Sequence, residues 1–227
     1  MIVGKSFEAV YTKALFDLDG TLVDSGPGIT RSCQYALKQF GIEVEDPSTL
    51  RFFVGPPLTQ AFPEFFGFDE EQTRQAIVYY RQYYRDKGLY ESKVYDGIPE
   101  LLASMRRRGI ACYVATSKPE FYAKQVLEYH GILDSFDFVS GAMMNEGRGR
   151  KEETINFLLE HENVTNKKEC LMIGDTKFDV IGAAACGLDC LGVSFGFGTP
   201  EDLLRHGALA VAETPAEILE NVPWLVL

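Results

Sequence analysis

Two aspartates one residue apart, Asp17 and Asp19, close a short apolar run and precede Gly20 in the stretch Leu15-Phe16-Asp17-Leu18-Asp19-Gly20-Thr21-Leu22-Val23. In an extended strand, residues i and i+2 point to the same side. The spacing therefore sets two carboxylates together, and they repel unless a cation or a shared proton relieves them. Gly20 lets the backbone turn sharply, and Thr21 supplies a hydroxyl close by. A strand ending of this kind suits a divalent metal beside a carboxylate nucleophile, whose attack on a phosphoryl group would form an acyl phosphate. The same nonapeptide also reads as a plain strand end followed by an Asp-Gly turn.

The pair needs a frame to hold it, and the pattern beyond Tyr95 supplies one. Helices are predicted over 99–108, ended by Gly109, and over 119–130, ended by Gly131. Further helices are expected over 151–161 and 178–186, with buried strands at 110–115, 136–139, 170–173 and 191–193. Strands separated by helices of this length imply a parallel sheet covered on both faces. With 14–18 as the first strand, the expected architecture is a doubly wound, Rossmann-like α/β core. Ligands in such sheets bind beyond the carboxyl ends of the strands, at the topological switch point. Asp17, Thr116 and Asp175 all fall at or just after predicted strand ends.

Residues 25–94 differ. They hold no convincing strand and are rich in helix formers and aromatics. Helices are predicted over 29–40, over 57–66 with a break at Pro63, and over 69–87. The expected division is a core of 1–24 and 95–227 with an inserted all-helical module of 25–94. Gly26-Pro27-Gly28 and Asp96-Gly97 would be its hinges.

The 227 residues carry a net charge of −11, which argues against non-specific nucleic-acid binding and requires an anionic substrate to be captured by local positive charge. Cys33, Cys112, Cys170, Cys186 and Cys190 are odd in number and lie mostly in apolar stretches, as free thiols in a reducing compartment would. Cys186 and Cys190 lack the companion Cys or His pair of a zinc site. Residues 1–12 do not read as a signal peptide, and no run is long enough to span a membrane. A cytoplasmic location is expected, with no membrane or nucleic-acid partner, and the oligomeric state stays open.

Phe16-Asp17-Leu18-Asp19-Gly20-Thr21 resembles the first motif of the haloacid dehalogenase-like (HAD) hydrolase superfamily. Three further motif positions follow in order: Thr116 after an apolar run, Lys151 opening a helical stretch, and Gly174-Asp175 with Asp179 after Leu171-Met172-Ile173. The resemblance runs from about residue 13 to 212, and 25–94 resembles the helical C1 cap of one subfamily. It implies a Mg²⁺-dependent phosphomonoester hydrolase acting through an aspartyl phosphate. Asp17 would be the nucleophile, and Asp19 the acid and then the base. Metal ligands would be Asp17, the Asp19 carbonyl and Asp175, with Asp179 as a fourth candidate or a support for the lysine. Thr116 and Ser117 would contact phosphoryl oxygens, and Lys151 would neutralise them as a point charge.

Each position also has a plain alternative. Gly174-Asp175 reads as a helix N-cap, Thr116 as a cap, and Lys151 as a surface lysine. Arg148 and Arg150 compete with Lys151, because Lys-Glu stands where the family has Lys-Pro. Lys118-Pro119 follows Thr116 too closely to be that motif. Tyr79, Tyr80, Tyr83 and Tyr84 form a helical stripe read as cap core, and Arg106-Arg107-Arg108 suits a helix C-terminus. His130, His161 and His206 receive no catalytic role.

The loop Arg51-Phe52-Phe53-Val54-Gly55-Pro56-Pro57-Leu58 resembles one in phosphoglycolate phosphatase-like and nucleotidase-like members, and Arg51 is a candidate substrate contact. The expected substrate is a small phosphorylated metabolite, with phosphoglycolate-like acids ranked before nucleoside monophosphates. A haloacid dehalogenase would not need Asp19. A phosphomutase would share every core residue, and a non-catalytic protein on this fold should have lost a motif residue.

Overall fold

The computed structural model describes residues 3–4, 7, 9–144 and 147–225. Of the leading segment 1–12, residues 1, 2, 5, 6 and 8 lie outside the described residues. In chain order the strands are β1 (Val3–Gly4), β2 (Lys13–Phe16), β3 (Val23–Asp24), β4 (Lys93–Val94), β5 (Ala111–Pro119), β6 (Phe138–Ala142), β7 (Cys170–Gly174), β8 (Asp189–Val193) and β9 (Ala210–Ala212). The helices are α1 (Gly26–Lys38), α2 (Leu58–Phe66), α3 (Glu70–Asp86), α4 (Ile98–Arg107), α5 (Glu120–Tyr129), α6 (Lys151–His161), α7 (Lys177–Cys186), α8 (Pro200–His206) and α9 (Pro215–Asn221).

Among the described residues, one sheet has the order β1-β9-β8-β7-β2-β5-β6. Every pairing in it is parallel except β1 with β9. From β2 near the centre the chain runs outward through β5 and β6, then crosses back to β7 on the other side. That reversal puts the switch point at the carboxyl end of β2. The central strands are short and mostly buried, wholly so in the Cys-Leu-Met-Ile-Gly run of β7, as expected when helices cover both faces. Leu15, Tyr113, Met172 and Val211 from the sheet pack with Ile155, Leu158, Val180 and Ala183 of α6 and α7 in one apolar cluster. The expected α/β architecture is thus the one observed.

The chain divides into two compact units, residues 1–23 with 94–227, and residues 24–93. The second holds α1, α2 and α3. Asp69 and Gln72 cap α3 reciprocally, each side chain meeting the other's backbone N–H. Tyr80 and Tyr84 are buried and stack on one another, as a cap-core stripe should. Tyr79 lies edge-on to Phe40, and Tyr83 donates to Glu91.

Three local expectations are corrected. Gly26-Pro27-Gly28, expected as a connection ahead of a helix starting at 29, is the first turn of α1; proline suits that position, and the Gly28 N–H bonds the Glu91 carbonyl at 3.0 Å. Pro63 lies inside α2 without breaking it. A proline in a helix interior costs about 3 kcal/mol through the lost bond and the ring clash, and the complete burial of Phe62 against Phe53 and Phe68 offsets it. The two-residue strand β4 pairs with β3, where no strand was expected.

Candidate active site

The Asp17 N–H bonds the Ile173 carbonyl at 2.9 Å, one residue past the end of β2, so the ladder to β7 fixes its backbone. The strand was expected to continue to residue 18. It stops at Phe16, and the chain then turns so that the Leu18 carbonyl accepts from Thr21, Leu22 and Val23. Alternation along a strand therefore does not govern the pair. Asp17 meets Lys151, whereas Asp19 bonds Lys118 with both carboxylate oxygens, at 2.7 and 2.8 Å.

Lys151 is the first residue of α6, and its ammonium is buried. It lies 2.7 Å from Asp17 Oδ1 and 2.8 Å from Asp179 Oδ1, and donates to the Ala115 carbonyl at 2.9 Å. Its two rivals are engaged elsewhere. Arg148 bonds the Gly141 carbonyl and Glu120 and lies over the Phe157 ring. Arg150 pairs with Glu152 and Glu153. Position alone could not separate the three; burial and partners do.

Asp175 follows β7 and is fully buried, with Thr21 Oγ1 donating to Oδ1 at 3.2 Å and the Phe197 N–H donating to Oδ2 at 2.8 Å. It is not the N-cap of α7; Thr176 holds that position. Asp179 is in the first turn of α7, and its Oδ2 accepts from the Thr176 N–H and hydroxyl, both at 2.9 Å. Both oxygens of Asp179 are thereby engaged, one with the helix start and one with Lys151.

Thr116, Ser117 and Lys118 lie inside β5, in a stretch where its register with β6 shifts between Ala115 and Pro119. Such an irregularity re-aims side chains at the end of a strand. Thr116 is buried and its hydroxyl accepts the Lys118 N–H at 3.2 Å. Ser117 is half-buried. Lys118, set aside as a motif lysine, is a buried cation on Asp19, a pairing across 99 residues that no local spacing signals. Arg51 lies exposed in a 3₁₀ segment, Pro47–Phe53, of the unit 24–93.

The site is short of positive charge. Burial pushes the Asp17 carboxyl up to about 6, with Lys151 opposing and Asp179 and Asp19 reinforcing the rise. Burial, then Asp179 and Asp17, push Asp175 well above the usual carboxylate range. Burial disfavours the Lys151 charge, but Asp17 and Asp179 outweigh it and raise the ammonium above its ordinary value. Asp17, Asp175 and Asp179 each bring one oxygen within 4.8 Å of the others. An all-oxygen, electron-rich donor set of this kind fits a hard divalent cation such as Mg²⁺.

Comparison with known proteins places the chain in a family. The profile of the haloacid dehalogenase-like hydrolases matches residues 14–193. A 5'-nucleotidase of Pseudomonas aeruginosa is 44% identical over 196 residues, 86% of this chain and 88% of that protein. A phosphoglycolate phosphatase of Colwellia psychrerythraea is 28% identical over 213 residues, 90% of this chain and 94% of that one. The crystal structure of a predicted phosphatase from Clostridium acetobutylicum superposes with a TM-score of 0.90 at 44% identity, covering 93% of this chain and all of that one.

Proposed function

The chain belongs to the haloacid dehalogenase-like hydrolases, and on that footing we propose that it is a Mg²⁺-dependent phosphomonoesterase acting through an aspartyl phosphate. The observation that carries this reading is the buried ammonium of Lys151 between Asp17 and Asp179, with Asp175 beside them, at the carboxyl edge of the sheet.

Phosphate monoesters hydrolyse so slowly unaided that about 20 kcal/mol of barrier must be removed. Asp17 attacks phosphorus, the ester P–O bond breaks, and Asp19 gives its proton to the leaving oxygen. Water then attacks the acyl phosphate, Asp19 takes the water's proton, and inorganic phosphate leaves as Asp17 returns to carboxylate. Lys151 neutralises charge on the phosphoryl oxygens, and Thr116 and Ser117 donate hydrogen bonds to them. Mg²⁺, when bound, supplies further charge neutralisation and orients the phosphate. Asp17, Asp175 and the Asp19 carbonyl are the groups that would hold it. Asp179, whose Oδ1 faces the Lys151 ammonium while Oδ2 caps the start of α7, holds Lys151 instead.

Nucleoside 5'-monophosphates rank first as substrates, because the relative named 5'-nucleotidase shares 44% identity against 28% for the phosphoglycolate phosphatase. The unit 24–93 is the module that selects among them. The test is phosphate release with Mg²⁺ from a panel of nucleotides, sugar phosphates and small phosphorylated acids, comparing wild type with Asp17→Asn. Steady release by the wild type alone supports the reading. Release by the variant at a comparable rate removes Asp17 as nucleophile. Isomerisation of a sugar phosphate without net release points to a mutase.

A further inference from the structure

Beyond β8 the chain reads Ser194-Phe195-Gly196-Phe197-Gly198-Thr199. It wraps Asp175. A Cβ on Gly198 would come within 2.0 Å of the Asp175 carbonyl oxygen. One on Gly196 would lie 2.2 Å from the Gly20 carbonyl and 2.5 Å from Asp175 Oδ2. No side chain fits at either place without moving backbone. That approach brings the Phe197 N–H to Asp175 Oδ2 at 2.8 Å, while Thr21 Oγ1 reaches Oδ1 at 3.2 Å from the opposite loop.

The segment is also anchored at both ends. The Ser194 N–H bonds the Ala212 carbonyl at 3.0 Å, and Thr199 caps α8 through the Asp202 N–H at 3.2 Å. Phe195 packs edge-on against Tyr95, with ring centroids 5.1 Å apart.

We propose that Ser194–Thr199 and Thr21 form a two-armed clamp that fixes the Asp175 carboxylate in one orientation and so selects Mg²⁺ over Ca²⁺ at the site. The inference rests on the reading of Asp175 as a cation ligand. Both carboxylate oxygens are held by neutral donors, which orient the group without pairing it to a cation of the protein. Partners behind a metal ligand typically change metal affinity 10–100-fold when lost. Mg²⁺ demands near-ideal octahedral geometry, whereas Ca²⁺ tolerates irregular, wider sets. A carboxylate released from the clamp therefore loses Mg²⁺ first.

The experiment is calorimetric titration of the whole protein with MgCl₂ alone and with CaCl₂ alone. Wild type is compared with Gly198→Ala, with Thr21→Val, which removes the other arm and leaves the backbone alone, and with Thr21→Ser, which restores a hydroxyl. Expected is a Mg²⁺ affinity at least ~10-fold lower for Gly198→Ala and Thr21→Val, a Ca²⁺ affinity changed less than ~3-fold, and recovery in Thr21→Ser. Should Gly198→Ala not fold, the two Thr21 variants still decide. Equal losses for both cations, or none, overturn the clamp, since general loosening would not discriminate between ions. A wild type that binds neither cation overturns the cation site itself, and the clamp with it.

Discussion

Replacing Lys151 with methionine keeps the length of the side chain and deletes its charge. The ammonium sits 2.7 Å from Asp17 Oδ1 and 2.8 Å from Asp179 Oδ1, with 4% of the side chain exposed. At an effective dielectric of about 20, each contact is worth about 6 kcal/mol of attraction, most of it offset by the desolvation of three charges. Removing one partner from such a buried set costs about 3–5 kcal/mol net, because the carboxylates stay behind uncompensated. The loss must also depend on pH. With the ammonium present, Asp17 already titrates at about 6. A carboxyl with a folded pKa above its unfolded value binds more protons folded than unfolded, so stability falls as pH rises through that window. Without Lys151 the carboxyl climbs higher, and the window extends upward past neutrality. Lys151 itself, raised above its ordinary value, stays charged throughout pH 5 to 8. Urea denaturation in EDTA is therefore expected to show Lys151→Met losing about 3–5 kcal/mol at pH 8 and markedly less at pH 5, where protonated Asp17 needs no counter-charge. An equal loss at both pH values, or one under about 1 kcal/mol at pH 8, would refute the reasoning.

Other outcomes follow from the same geometry. Asp17→Asn cannot form an acyl phosphate, so phosphate release should fall about 10³-fold or more while the urea midpoint in EDTA holds or rises; a smaller drop in rate argues for another nucleophile. Saturating Mg²⁺ should raise the Tm more at pH 8 than at pH 5, because protons on the raised carboxyls of Asp17 and Asp175 compete with the cation. A Tm gain independent of pH would count against those two as ligands. In the unit 24–93, the buried Thr73 hydroxyl finds no hydrogen-bond partner among the described residues. Thr73→Val should accordingly be neutral or stabilise by about 1 kcal/mol in chemical denaturation. A clear destabilisation would reveal a bond to solvent or to another group.

Much of the fold was legible because its signals are local. Apolar runs such as Leu171-Met172-Ile173 can only be buried strands when helices flank them, and α6 begins and ends where its pattern does. The errors lie where a distant contact overrides a local preference. Pro63 breaks an isolated helix, yet α2 continues through it because the phenylalanine cluster buries its neighbours. Gly26-Pro27-Gly28 reads as a loop, yet it is the first turn of α1, with the Gly28 amide on the Glu91 carbonyl.

The candidate site divides in the same way. The sequence alone determined which polar and charged residues are candidates for the site: Asp17, Asp19, Thr116, Lys151, Asp175 and Asp179. These are chemical identities at fixed spacings, and the parallel sheet gathers strand ends whatever the details. Tertiary structure alone decided who pairs with whom. It set Lys118 on Asp19, chose Lys151 over Arg148 and Arg150 as the partner of Asp17, and engaged both oxygens of Asp179. It also brought the Phe197 amide to Asp175 across 22 residues of chain. Ion pairs and hydrogen bonds form across a few ångströms of space, and a one-dimensional pattern records no such distance until the backbone has folded.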